Sequence, residues 1–199
     1  MTHFHSMRSV VAAVLAAAVV LVGVEARAQE PLYHGTLTIR PARGTLDRDN
    51  GIGTLLVNNW DLAVPLNSNG IFPDREPIIV ALGETERLVI PAGEVQASRN
   101  GKVFTFRNPK VPRGIRFFQM RQLKSNPAVE LARYRVRFSL VGIDLSGLLI
   151  EFPLCKSTAV IIGDDDGFDG IDLDRPGGFS RSKVRVLGQC QAQEWPWVS

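Results

Sequence analysis

An all-β protein, built as an antiparallel β-sandwich, is the fold this sequence predicts, on three observations. Apolar and polar residues alternate with period two in several segments, the pattern of a strand with one buried face. Gly, Pro, Asn and Asp punctuate the apolar runs at the spacing of about 8–12 residues that sandwiches and barrels use. No stretch after residue 30 sustains the 3.6-residue period of an amphipathic helix.

The elements follow in order. Residues 36–40 alternate, with Leu37 and Ile39 on one side. Residues 53–57, 77–82 and 87–90 are apolar and rich in β-branched side chains, which suit a pleated surface. Asn100-Gly101 precedes residues 103–107 and is a hairpin signal, because a type I′ turn needs positive φ at both central positions. Residues 115–123 form another apolar run, and Asn126-Pro127 marks a turn that leaves room for one short helical turn over 125–131. In residues 133–140 arginines alternate with Tyr134, Val136, Phe138 and Leu140, which therefore share a face. Residues 148–154 and 158–162 are further apolar runs, and Ser182, Val184 and Val186 alternate near the end.

Residues 77–84 echo residues 157–164 at an offset of 80. If the echo marks a duplication, the region 29–199 divides into halves at 31–98 and 99–190. Leu88-Val89-Ile90-Pro91-Ala92-Gly93, Asn100-Gly101-Lys102-Val103-Phe104-Thr105-Phe106-Arg107, Gly142-Ile143-Asp144-Leu145-Ser146-Gly147 and Ile161-Ile162-Gly163-Asp164-Asp165 together form a strand-and-turn pattern. That pattern resembles exported, β-rich bacterial proteins of unknown function. The resemblance implies an exported β protein and carries no activity and no functional residues with it.

The amino terminus agrees with export. A polar start with Arg8 is followed by residues 10–24, all Val, Ala, Leu or Gly, and then by Ala26-Arg27-Ala28. This is the order of a secretory signal peptide over residues 1–28, cleaved after Ala28. Fifteen helical residues reach only about 22 Å, short of the ~30 Å hydrocarbon core of a bilayer. The mature chain is thus expected in the periplasm or outside the cell. There, Cys155 and Cys190, the only cysteines, are expected to form a disulfide. It would close a loop of 35 residues (190 − 155), a contribution of roughly 3–4 kcal/mol.

Charge is unevenly spread. Residues 164–174 hold six aspartates, Asp164, Asp165, Asp166, Asp169, Asp172 and Asp174, interleaved with Gly167 and Gly170. Hard cations take six to eight oxygen ligands, and glycines let one segment wrap an ion, so this run is the expected calcium site. The spacing resembles the Asp/Gly-rich loops of thrombospondin-type calcium repeats. It departs from an EF-hand, whose twelfth position would fall on Pro176. A shorter turn, Asp47-Arg48-Asp49-Asn50-Gly51, has too few carboxylates and reads as an ordinary turn.

Residues 99–137 carry eleven Lys and Arg against the single acid Glu130. Arg133, Arg135 and Arg137 fall on one strand face, as do Arg181, Lys183 and Arg185, and neighbouring strands would merge them into one anion-binding face. Phe117, Phe118 and Trp60 are candidate stacking surface for a sugar or base. Catalysis has little to work with. His34 is the one histidine after residue 28, and no GxSxG, HExxH or P-loop occurs. Asp61, Asp144 and Glu151 stand beside apolar runs, where burial would raise a carboxyl pKa, and Trp195-Pro196-Trp197 is a candidate sugar-stacking pair. The expected function is therefore that of an exported, non-enzymatic protein binding an anionic surface polysaccharide or a partner protein, with calcium as a stabilising ion. No sequence-specific nucleic-acid reading is expected. The alternatives are a self-associating envelope or appendage component and a carboxylate-based carbohydrate-active enzyme.

Overall fold

In the computed structural model, residues 33–47, 49–83, 86–124, 131–146, 154–174 and 181–190 are described. They contain twelve strands and no helix. In chain order these are β1 Tyr33–Thr38, β2 Ala42–Asp47, β3 Ile52–Pro65, β4 Ile78–Leu82, β5 Glu86–Ile90, β6 Gln96–Ala97, β7 Val103–Arg107, β8 Gly114–Gln122, β9 Leu131–Asp144, β10 Leu154–Ile162, β11 Asp165–Asp174 and β12 Arg181–Cys190. No helix among them is long and apolar enough to cross a membrane.

The all-β expectation holds, but the layers differ from a sandwich. The strands form one mixed sheet in the order β5-β4-β10-β11-β12-β2-β3-β9-β8-β7-β6, curled strongly into a half-barrel. Bulges bend a strand and sharpen its twist, and they interrupt the β3–β9, β8–β9 and β11–β12 pairings. β1 and β2 hold a single register against β3, with Thr38 opposite Asp61 and Arg43 opposite Leu56. On their other side β1 pairs in parallel with the start of β11, and β12 pairs with the remainder of β11 and with β2.

The inner face of the curl is the core. Tyr134, Val136, Phe138 and Leu140 all point into it, as the alternation predicts. Trp60 is fully buried there, edge-on to Phe138 with ring centroids 5.1 Å apart, and its Nε1 donates to the Arg40 carbonyl at 2.9 Å. The two echoing segments contain β4 and β10, which pair with each other, Ile78 opposite Ile162. β4 is buried on both faces: Ile78, Val80 and Leu82 inward, Ile79 and Ala81 in a small outer cluster with Ala159, Ile161 and Phe168. Two adjacent strands in one apolar setting account for their likeness, since a strand covered on both sides carries a continuous apolar run. Strands of the halves 31–98 and 99–190 interleave in the sheet.

At Asn100-Gly101 the predicted hairpin exists, between β6 and β7, with a longer loop than type I′. Ser98 donates from its amide to the Val103 carbonyl at 2.7 Å, so four residues form the loop, and Asn100 Oδ1 accepts from Ser98 Oγ and the Lys102 amide. The Asp47–Gly51 turn is ordinary, its Asp47 carboxylate accepting from the Asp49 amide and the Asn50 side chain.

Candidate functional site

Two surfaces concentrate charge. The first is the outer face of β7, β8 and β9. With Phe104, Phe106, Phe118, Met120, Tyr134 and Val136 turned inward, alternation turns Arg107, Arg121, Arg133, Arg135 and Arg137 outward. Arg121 stands directly opposite Arg135 across the β8–β9 ladder. Like charges so placed are destabilising, and the Asp61 carboxylate, 3.0 Å from Arg135 Nε, offsets part of that repulsion. Arg107 lies over the Phe117 ring at 5.7 Å. Beside Arg121 a groove of about 530 Å³ is lined by Asn100, Lys102, Gln122 and Lys124, with Val103 and Leu123 as its apolar wall. Among the described residues, Lys102, Arg121, Lys124 and Arg133 have no carboxylate partner.

One acid is set into this face. Asp61 is buried and accepts from Arg40 Nη2 and Arg135 Nε, each at 3.0 Å. Burial pushes its carboxyl up, and the guanidinium groups of Arg135 and Arg40 outweigh that and hold it below the usual carboxylate value. The expectation of a raised pKa at Asp61 is therefore corrected. Asp144 caps a turn, its Oδ1 accepting from the Ser146 amide at 2.8 Å. Trp60 and Phe118 are fully buried and offer no stacking surface.

The basic stripes are not neighbours. β2 and β3 separate β12 from β9. Along the backbone Arg181, Lys183 and Arg185 pair with Asp47, Thr45 and Arg43; their side chains lie outside the described residues.

The second surface is acidic. The aspartate run, expected as a loop, is strand β11, preceded by the tight Gly163-Asp164 turn. β10 and β1 take up its two edges, so the strand ladder overrides the poor strand propensity of Asp and Gly. Alternation then separates the carboxylates. Asp166 meets His34 Nδ1 at 3.3 Å. Burial raises the Asp166 carboxyl, and His34 and a backbone bond from Gly35 oppose the rise. Asp165 turns the other way and is buried, 1% exposed, with no hydrogen-bond partner for either oxygen. Its carboxyl is pushed up to about 6 by burial and by the charges of Asp164, Glu76 and Asp166; Ser68 acts against the rise without a full hydrogen bond. The Tyr134 hydroxyl is raised by burial and by Asp165.

Residues 66–76 fold over this turn. Asn69 Nδ2 donates to Asp164 Oδ2 at 2.9 Å, and Glu76 Oε2 accepts from the Phe72 amide at 2.9 Å. Burial raises Glu76, with Asp164 and Asp74 adding to the rise. Gly163, at φ +60°, lets Glu76 approach, since a Cβ there would stand 2.6–3.0 Å from its carboxylate. Sequence reading missed Glu76 and Arg40, because Asp164, whose charge acts on Glu76, and Asp61, the partner of Arg40, lie 88 (164 − 76) and 21 (61 − 40) residues away and no local pattern joins them. The side chains of Asp169, Asp172, Asp174, Cys155 and Cys190, and residues 1–32, Pro127, Glu151 and Trp195-Pro196-Trp197, lie outside the described residues. Along the backbone Cys155 pairs with Asp172 and Cys190 with Gly170, on the two strands flanking β11. Among the described residues no three His, Cys, Asp or Glu side chains are arranged to hold one metal ion. No family model, no curated protein and no solved structure matches the chain.

Proposed function

We propose that the chain, exported and cleaved after Ala28, is a non-enzymatic binding protein that holds an anionic extracellular polymer on the outer face of β7, β8 and β9. The observation that carries this reading is the groove holding Lys102, Arg121 and Lys124, on the same outer face as the exposed Arg133 and Arg137 and without a carboxylate partner for its cations among the described residues. Guanidinium groups pair bidentately with sulfate, phosphate or carboxylate, and a row of them suits a ligand whose charges repeat. Attraction of this kind steers association and weakens as salt screens it.

Heparin is the probe. The purified mature chain is expected to bind a heparin column at about 0.05 M salt and to elute as salt rises. A Lys102→Ala/Arg121→Ala/Arg133→Ala variant should elute at much lower salt while melting at an unchanged temperature. Arg135 is left in place because it holds buried Asp61. Passage of the parent protein straight through the column, or equal retention of the variant, overturns the proposal.

A further inference from the structure

The acidic surface contains an electrostatic conflict that the basic face does not resolve. Asp165 is 1% exposed and neither of its oxygens has a hydrogen-bond partner. The charges that act on it are the carboxylates of Asp164, Glu76 and Asp166. Among the described residues no Lys or Arg pairs with Asp165, Glu76 or Asp164. An ionised carboxylate buried in this way is heavily penalised unless a positive charge joins it.

The surroundings are built for oxygen ligation. Ser68 offers a neutral hydroxyl at Asp165. Glu76 is anchored at one oxygen by the Phe72 amide, which leaves Oε1 lying against Gly163, where the absent Cβ makes the room. Asp164 is oriented by Asn69. Calcium takes six to eight oxygens at flexible geometry, from carboxylates, carbonyls and water. Among the described residues no three His, Cys, Asp or Glu side chains are arranged around one point, so carbonyls and water would have to complete the shell.

We propose that the junction between residues 66–76 and the Gly163-Asp164 turn binds a hard divalent cation of calcium's class, with Asp165 and Glu76 as its carboxylate ligands and Ser68 as a neutral one. The site differs from a wrapped aspartate loop: it draws Glu76 from a segment distant in sequence, and it leaves out Asp166, which faces His34. Binding would fasten the 66–76 segment onto the β10–β11 hairpin. The inference is independent of the polymer-binding reading, and heparin retention should not change in the variants below.

The test is thermal melting of the full mature chain at neutral pH, stripped with chelator and then titrated with calcium chloride to about 10 mM, the range that weak extracellular sites need. The parent is expected to melt higher by about 5 °C or more once calcium exceeds its Kd a hundredfold. Asp165→Asn should melt above the calcium-free parent, which shows that it folds, and should lose the calcium-dependent rise. Glu76→Gln should lose most of it, while Asp49→Asn, in the β2–β3 turn, should keep it whole. No rise in the parent overturns the proposal. So does a rise that persists undiminished in both Asp165→Asn and Glu76→Gln, which would place the ion elsewhere, on Asp169–Asp174 included.

Discussion

Asp61 shows how two side chains decide the behaviour of a third. Its position beside an apolar run suggests a carboxyl with a raised pKa, and burial does push that way. Arg135 and Arg40, each 3.0 Å from one of its oxygens, reverse the sign. Both guanidinium groups are nearly half exposed, so solvent screens part of their attraction. Replacing Arg135 by Ala leaves Asp61 with one partner instead of two. The expected loss is about 1–2 kcal/mol in urea unfolding at neutral pH. The pH dependence has a defined sign. A carboxyl held below its unfolded value contributes stability that is complete above the usual carboxylate range and drains as pH falls through its folded value. The penalty of Arg135→Ala should therefore shrink between pH 7 and about pH 3. A penalty that stays constant over that range would mean that Arg135 stabilises by packing its aliphatic stem and not through Asp61.

At the scale of elements, local pairing is legible in the chain and closure is not. The inward set on β9, the apolar β4 and β10, and the hairpin at Asn100-Gly101 follow from period two and from turn chemistry, which act over a few residues. β11 reads as a loop because its composition is poor for a strand, and it pairs because both of its edges are taken. Glu86 is equally silent in the sequence. It sits on β5 at one end of the sheet order, 2% exposed, and its Oε1 accepts from Arg113 Nη2 and from the Asp144 amide, both at 2.8 Å. Those partners belong to the β8–β9 side, seven strands away along the order, so one carboxylate latches the curl. Glu86→Ala would strip the half-buried Asp144 amide of its acceptor and remove the Arg113 pair, and should cost about 2–3 kcal/mol. Glu86→Gln keeps an acceptor oxygen in place and should cost clearly less. Equal losses in the two variants, read by urea unfolding, would show that charge, not the hydrogen bonds, holds the edges together.

The whole molecule behaves as its sheet order requires. A duplicated sandwich would let residues 31–98 and 99–190 each keep a layer. The observed order interleaves them: β4 gains its inner neighbour β10 from the second half, β2 pairs with β12, and β3 is clasped along its whole length by β9. Leu55, Val57, Trp60 and Leu62 on β3 share one core with Val136, Phe138 and Leu140 on β9. Cutting the chain at 98 therefore exposes the most deeply buried side chains of both pieces and leaves long unpaired strand edges, which invite aggregation. The intact chain is expected to unfold in one cooperative transition, since a single core admits no independent unit. Neither piece alone should show a cooperative melt or dispersed amide resonances, and mixing the two should restore both features, because β3–β9 and β4–β10 pairing is what each lacks. A melt from either piece in isolation would contradict the interleaved order and return the molecule to two separable halves.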